Sequence, residues 1–339
     1  IAVNSNGISD DINLILNGVN IDTDSKKIPA IYVYNKDMTY TDHKVTIKTA
    51  DGSKNYIEGG KLKKVSLIGS DELSNYSNKY SGDASTWFNS YTNYYGVYTK
   101  SQIEKILFAS VTADNEDLQD GDPYYFYKAS GAISSDIDLY FEGTGYLEVT
   151  SKNKEGIETK GNLSFIGGTG DYVVSSQDDC LNTTTKSSAG NVVHNSLVID
   201  VNSLVAIVSM DADEGDAIDS NGTLTINGGT IYINSTGDGI DINASGYIYG
   251  GTITIEGPTD NGNAALDYDG EFIIDGGTFL AVGSSGMLQS ISSNSKQYNI
   301  VAYLSSQTAT TKISIVDSDD NEIISYTPSK TYTSIVFSS

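Results

Sequence analysis

Arginine is missing altogether: all 20 basic side chains are lysines, set against 44 acidic ones, for a formal charge of −24. Nucleic-acid binding needs a basic patch, and base readout favours arginine forks, so that class is excluded. Direct clamping of acidic ligands by guanidinium groups is excluded with it. A single cysteine, Cys180, leaves no intrachain disulfide framework, and two histidines, His43 and His194, are too few for a histidine-rich zinc site. No apolar run approaches a membrane span, so no membrane insertion is expected. Only four prolines occur, against 34 glycines, 24 tyrosines and many Ser, Thr and Asn residues, a balance that reads as turn-rich and strand-rich rather than disordered. The chain begins at Ile1 without a basic leader, and a mature protein secreted or held on a bacterial cell surface is expected.

Internal repetition decides the expected fold. Gly-Gly-Thr recurs at Gly167, Gly228, Gly250 and Gly276, the last three spaced by 22 and 26 residues. A second column keeps phase with it: Glu155 to Glu158, Asp179 to Asn182, Asp216 to Asp219, Asp238 to Asp241, Ala264 to Asp267, and Gly286 to Gln289. Between the columns, apolar residues alternate with period two, as in Leu224 and Ile226, Ile231 and Ile233, and Ile253 and Ile255. That is strand periodicity. One such turn spans about 70 Å of strand and corner, and turns stacked about 4.8 Å apart bury their inward ladders only against one another. The expected fold is all-β, a right-handed parallel β-helix with about 22–26 residues per turn.

The period also sets expected boundaries within a single domain. Residues 1–57 read as the first turns and 131–295 as the turns with acidic corners. Residues 58–130 break the period and are rich in aromatics, as an inserted loop or subdomain would be. Residues 296–339 leave the repeat and read as a β cap.

The acidic column carries the sharpest chemical signal. From Ser187 to Ser295 there are 14 acids and no lysine. Carboxylates at equivalent positions of adjacent turns, ~5 Å apart, repel by about 3 kcal/mol at an effective dielectric near ~20. Clustered oxygen donors suit a hard divalent cation such as calcium. Calcium is therefore the expected cofactor, with Asp179, Asp216, Asp219, Asp238, Asp241 and Asp267 as first ligands and Asp178, Asp211, Asp213 and Glu155 as second choices. The alternative is a row of solvated corners in which Asp and Asn serve turn chemistry.

Aromatic side chains give the second signal. Trp87, Tyr91, Tyr94 and Tyr95 would offer flat, amphipathic area to the C–H face of a sugar ring, or else form a satellite core for the insertion. Tyr232, Tyr247, Tyr249 and Tyr268 lie on the repeats as further candidates for sugar contact, or as ordinary strand-surface residues. Catalytic constellations are thin. His194 has no evident nucleophile partner, Cys180 reads as a small buried thiol, and the column is too dense in anions to single out one raised acid for glycoside hydrolysis.

Several stretches together resemble one known family. They are Leu14 to Ile21, Gly156-Ile157 with Leu163 to Thr169, Gly237-Asp-Gly-Ile-Asp241, and the closing runs Ser293 to Gln297, Thr311 to Ile315 and Thr333 to Phe337. In that order they are similar to a family of secreted bacterial right-handed β-helix carbohydrate-binding proteins. It was first catalogued as a domain of unknown function and has cellulose- and pectin-binding members in cellulolytic clostridia. The family is similar in shape to the family-nine pectate lyases. The resemblance covers most of the chain outside 58–130, where this sequence carries a larger insertion. It implies calcium at Asp238 and Asp241, more loosely at Asp216 and Asp219, and binding of acidic plant cell-wall polysaccharide. The lyase base does not carry over cleanly, because only Lys160 or Lys186 could approach the acidic corners.

The leading expectation is a noncatalytic, calcium-dependent binder of acidic galacturonan or pectin, with cellulose as a further ligand and a monomer as the working state. The alternatives are a calcium-dependent pectate lyase using a lysine base, a structural or adhesion solenoid, and an ice binder presenting threonines such as Thr223 and Thr225.

Overall fold

Alternating apolar residues cannot bury both faces of a strand, so each turn of the chain needs a neighbour above and below it. The computed structural model describes residues 1–5, 8, 10–26, 28–34, 43–60, 63–68, 97–99, 124–129, 131–184, 186–188, 191–208 and 215–339. Within them the protein is all-β, with one short 3-10 turn at Asp24–Lys26. Its strands are assembled mainly into long parallel ladders.

One ladder of eight strands runs through Ala2–Asn4, Ile31–Tyr34, Ile133–Ser135, Ile157–Thr159, Leu181–Thr183, Ile218–Ser220, Ile240–Ile242 and Asp267–Tyr268. Its register sets Ile133 opposite both Ile31 and Ile157, so pairing passes directly from before residue 60 to after residue 130. A second run climbs from Ile12–Leu16 through Val45–Thr49, Leu139–Gly143 and Leu163–Phe165. A third climbs from Asn20–Asp22 through Lys54–Gly59, Tyr146–Ser151 and Asp171–Ser176. The long strands Leu197–Val208 and Leu224–Asn234 belong to both of these runs, with a register shift at Asp200 where the chain bends. The runs separate again into Gly246–Ile248 with Phe272–Ile274, and Thr252–Glu256 with Thr278–Gly283.

The bends explain the Gly-Gly-Thr repeat. Gly251 and Gly277 have φ of 93° and 90°. A Cβ on Gly277 would lie 2.5 Å from the carbonyl oxygen of Gly251, and one on Gly251 would lie 2.6 Å from that of Gly229. Only glycine meets both demands, and the motif recurs because each bend sits on the last.

Inward side chains fuse into one apolar core that runs from Leu16 to Val336. Phe141 and Phe165 stack within it at 4.7 Å, and Tyr172 meets both edge-on. The parallel ladder ends where Tyr332–Ser338 pairs antiparallel with Thr278–Gly283 and with Asn299–Gln307. Lys330 ties this end down: its ammonium donates to the carbonyls of Ser235 at 2.7 Å and Glu256 at 2.8 Å. Between residues 60 and 131, the described strands Lys63–Ile68, Val97–Thr99 and Tyr124–Ala129 form an antiparallel sheet.

Candidate metal centre

Two positions three residues apart repeat at one corner of successive turns, and together they build the site. In the strand column, Asn182 lies opposite Asp219, Asp219 opposite Asp241, and Asp241 opposite Asp267. In the corner column each carboxylate reaches the next turn. Asp179 Oδ1 accepts the amide of Asp216 at 3.0 Å, Asp216 Oδ1 accepts that of Asp238 at 2.6 Å, and Asp238 Oδ1 accepts that of Ala264. The aspartates thus serve first as staples between turns.

Those staples bring like charges together. Carboxylate oxygens of Asp216, Asp238 and Asp241 all lie within 4.8 Å of one another. Burial, and then the charges of Asp179 and Asp238, push Asp216 up to about 8. Asp238 and Asp241 are pushed up to about 6, again chiefly by burial and then by neighbouring acids such as Asp267. Among the described residues no lysine forms an ion pair with any of the three. Gly237 makes the approach possible, since a Cβ there would lie 2.4 Å from Asp216 Oδ1.

Amides flank the strand column. The Asn182 side chain donates to Asp179 and, at 2.8 Å, to Asp219. At the other end the Gln289 side chain donates to Asp267. Three of the six expected first ligands therefore converge, while Asp179, Asp219 and Asp267 are engaged by amides beside them. Asp178 pairs with Lys154, whose ammonium also lies 3.7 Å from buried Glu155. Asp211 and Asp213 lie outside the described residues. Glu158 was not among the expected ligands, yet it sits buried in the strand column opposite Asn182. Its place in the repeated motif was the available signal.

The remaining candidates are dispersed. Lys160 is buried in an ion pair with Asp136 at 2.7 Å, both side chains under a tenth exposed. Lys186 begins a short hairpin strand, and its side chain lies outside what is described. Cys180 is fully buried, and burial pushes its thiol up to about 12, which fits an inert packing residue. His194 is exposed, with Nδ1 3.0 Å from the Asn221 carbonyl oxygen. Tyr268 is half-buried beside Asp267, its ring 5.8 Å from that of Phe272 and its hydroxyl donating to the Ser290 carbonyl. Trp87, Tyr91, Tyr94 and Tyr95 lie outside the described residues.

Comparison with known proteins adds the class of ligand. The family model described as carbohydrate-binding domain-containing protein matches residues 97–325, about two thirds of the chain and the whole acidic cluster. The chain belongs to that family. Neither a curated protein nor a solved structure matches it. No helix among the described residues is long and apolar enough to cross a membrane.

Proposed function

We propose that the protein is a noncatalytic, calcium-dependent binder of acidic plant cell-wall polysaccharide of the galacturonan or pectin type, acting outside the cell or on its surface. The observation that carries this reading is the convergence of Asp216, Asp238 and Asp241 without an ammonium partner among the described residues. An all-carboxylate set fits a hard cation that takes several oxygen ligands. Bound there, calcium would supply the positive charge that the three carboxylates lack and an electrophilic centre for a uronate carboxylate. The chain's own part is to hold those carboxylates through the Asp216 and Asp238 staples, with Asn182 and Gln289 orienting their neighbours. A chain at −24 otherwise repels a polyanion.

The stepwise parallel registers support reading the scaffold as a parallel β-helix. The strong chiral bias of parallel crossovers makes it right-handed in this reading. A lyase would need a base near the acidic corner, and burial of Lys160 against Asp136 speaks against that role. The test is isothermal titration of polygalacturonate with calcium and again with excess chelator, with the same samples assayed for unsaturated uronate absorbance. Calcium-dependent heat without absorbance is expected. Rising absorbance would make the protein a lyase, and no binding in either condition would sink the bridging mechanism.

A further inference from the structure

Among the described ion pairs, one is sealed from water. Lys160 Nζ lies 2.7 Å from Asp136 Oδ1, and the two side chains are only 5% and 7% exposed. In each of the other described pairs the lysine is about a third exposed or more.

The backbone sets the two partners side by side in consecutive turns. The amide of Asp136 donates to the Val33 carbonyl at 2.8 Å, and that of Lys160 to the Ser135 carbonyl at 2.9 Å. These bonds carry the parallel ladder one step past its strands. Within the ladder Ser134 lies opposite Glu158. Two residues further along each turn, on the same face, come Asp136 and Lys160. Glu158 shares that face with the pair and is buried as they are. From the turn before, the buried Tyr32 hydroxyl donates to Asp136 Oδ2 at 3.4 Å. Asp136 thus turns one oxygen to an amine and the other to a hydrogen-bond donor.

Sealing changes what such a pair can do. In water an ammonium and a carboxylate stay charged and do not condense. Burial penalises both charged forms, so passing one proton from Nζ to the carboxyl leaves two neutral groups at a lower cost. The neutral amine is a nucleophile. A contact of 2.7 Å to Oδ1 leaves Nζ at most one C–O bond farther from Cγ, close to the ~3–3.5 Å at which reacting atoms meet.

We propose that Lys160 and Asp136 condense into an intramolecular isopeptide bond, with Glu158 relaying the proton and Tyr32 polarising the carboxyl. The neutral Nζ bonds to Cγ of the protonated carboxyl, and Oδ2, held by Tyr32, takes the negative charge of the tetrahedral intermediate. Glu158 takes the surplus proton from nitrogen and passes it to Oδ1. The Cγ–Oδ1 bond breaks and that oxygen leaves as water. One ammonium and one carboxylate give one amide and one water, without an oxidant or a cofactor. Exclusion of bulk water keeps the amide from reverting. The ion pair is the state before condensation. The bond ties together consecutive turns at the strand where Ile133 pairs back to Ile31, and it depends on neither calcium nor a glycan.

The experiment is tryptic peptide mapping of the full chain by mass spectrometry, beside its intact mass. Trypsin cuts after Lys152 and Lys154, so residues 129–152 and 155–160 leave as separate peptides when Lys160 is uncondensed. With the bond, Lys160 resists cleavage, and 129–152 leaves joined to 155–186, lighter than their sum by one water, about 18 Da. The native protein is expected to show the joined peptide and the same deficit in its intact mass. Lys160→Arg, which keeps a cation beside Asp136 but does not condense, should lose both. Glu158→Gln keeps shape without the relay and should leave most chains at the uncondensed mass. Circular dichroism checks that each variant folds. Native protein at its full sequence mass, with Lys160 cleaved, would overturn the proposal. A water loss without the joined peptide would place the condensation elsewhere and overturn it equally. Complete cross-linking in folded Glu158→Gln would overturn the relay.

Discussion

The earlier turns of this protein and the acidic corner of its later turns treat their acids in opposite ways. In the earlier turns carboxylates meet lysines: Asp136 with Lys160, Asp178 with Lys154, Glu58 with Lys152, and Glu142 with Lys48 at 2.9 Å. In the later turns Asp216, Asp238 and Asp241 meet one another. The same ladder holds both arrangements, so the difference lies in the side chains and not in the backbone. An ion pair closes a corner from within the sequence. A carboxylate cluster sets like charges against one another, a repulsion that protons or a bound cation would relieve.

Removing charge should therefore have opposite signs in the two regions. Lys160→Met leaves Asp136 buried without its ammonium and should destabilise the protein by about 3–5 kcal/mol, measured by denaturant unfolding. Asp241→Asn keeps shape while removing one of three converging negative charges. In chelator it should raise the unfolding temperature by on the order of several degrees, and it should abolish most of the further rise produced by calcium. If Asp241→Asn lowered stability in chelator as Lys160→Met does, the contrast would fail.

Acidity sharpens the same contrast. The three later acids titrate higher in the folded protein than in the unfolded chain, where aspartate sits near ~3.9. Folded protein without metal then holds protons that the unfolded chain has released. Their contribution to stability is complete below that value and is lost as pH rises through about 6 for Asp238 and Asp241 and about 8 for Asp216. Unfolding temperature in chelator should fall between pH 5 and pH 8, and calcium should flatten that fall. A flat profile in chelator would mean that the carboxylates are solvated well enough to tolerate one another. The smallest effect is expected at Lys154, which is about a third exposed: Lys154→Ala should cost about 1 kcal/mol or less in the same unfolding assay.

The ladder was legible because stacking makes one position in a turn answer to the same position in the next. Gly251 and Gly277 announced their bends by recurring with Thr252 and Thr278, and Asp219, Asp241 and Asp267 announced one column by their spacing. What the spacing did not carry was the direction of each side chain. Lys154 reaches Asp178 and Lys160 reaches Asp136, each 24 residues or one turn away: the period makes these pairs neighbours, but it does not encode which way a flexible stem points. The staple role of Asp216, and the need for Gly237 to clear its carboxylate, depend on distances of a few ångströms between turns. The parallel attitude of Tyr247 and Tyr249 likewise comes from packing, which alternation along a strand leaves open.

Whether the acidic corner holds a cation is decided by calcium titration into chelator-stripped protein by isothermal calorimetry, native beside an Asp238→Asn/Asp241→Asn variant, at pH 8 and pH 5.5. Saturable binding by the native protein is expected, weaker at the lower pH because protons compete for the same oxygens, with little or none by the variant. Equal binding by both proteins, or no binding by the native one at pH 8, would contradict it.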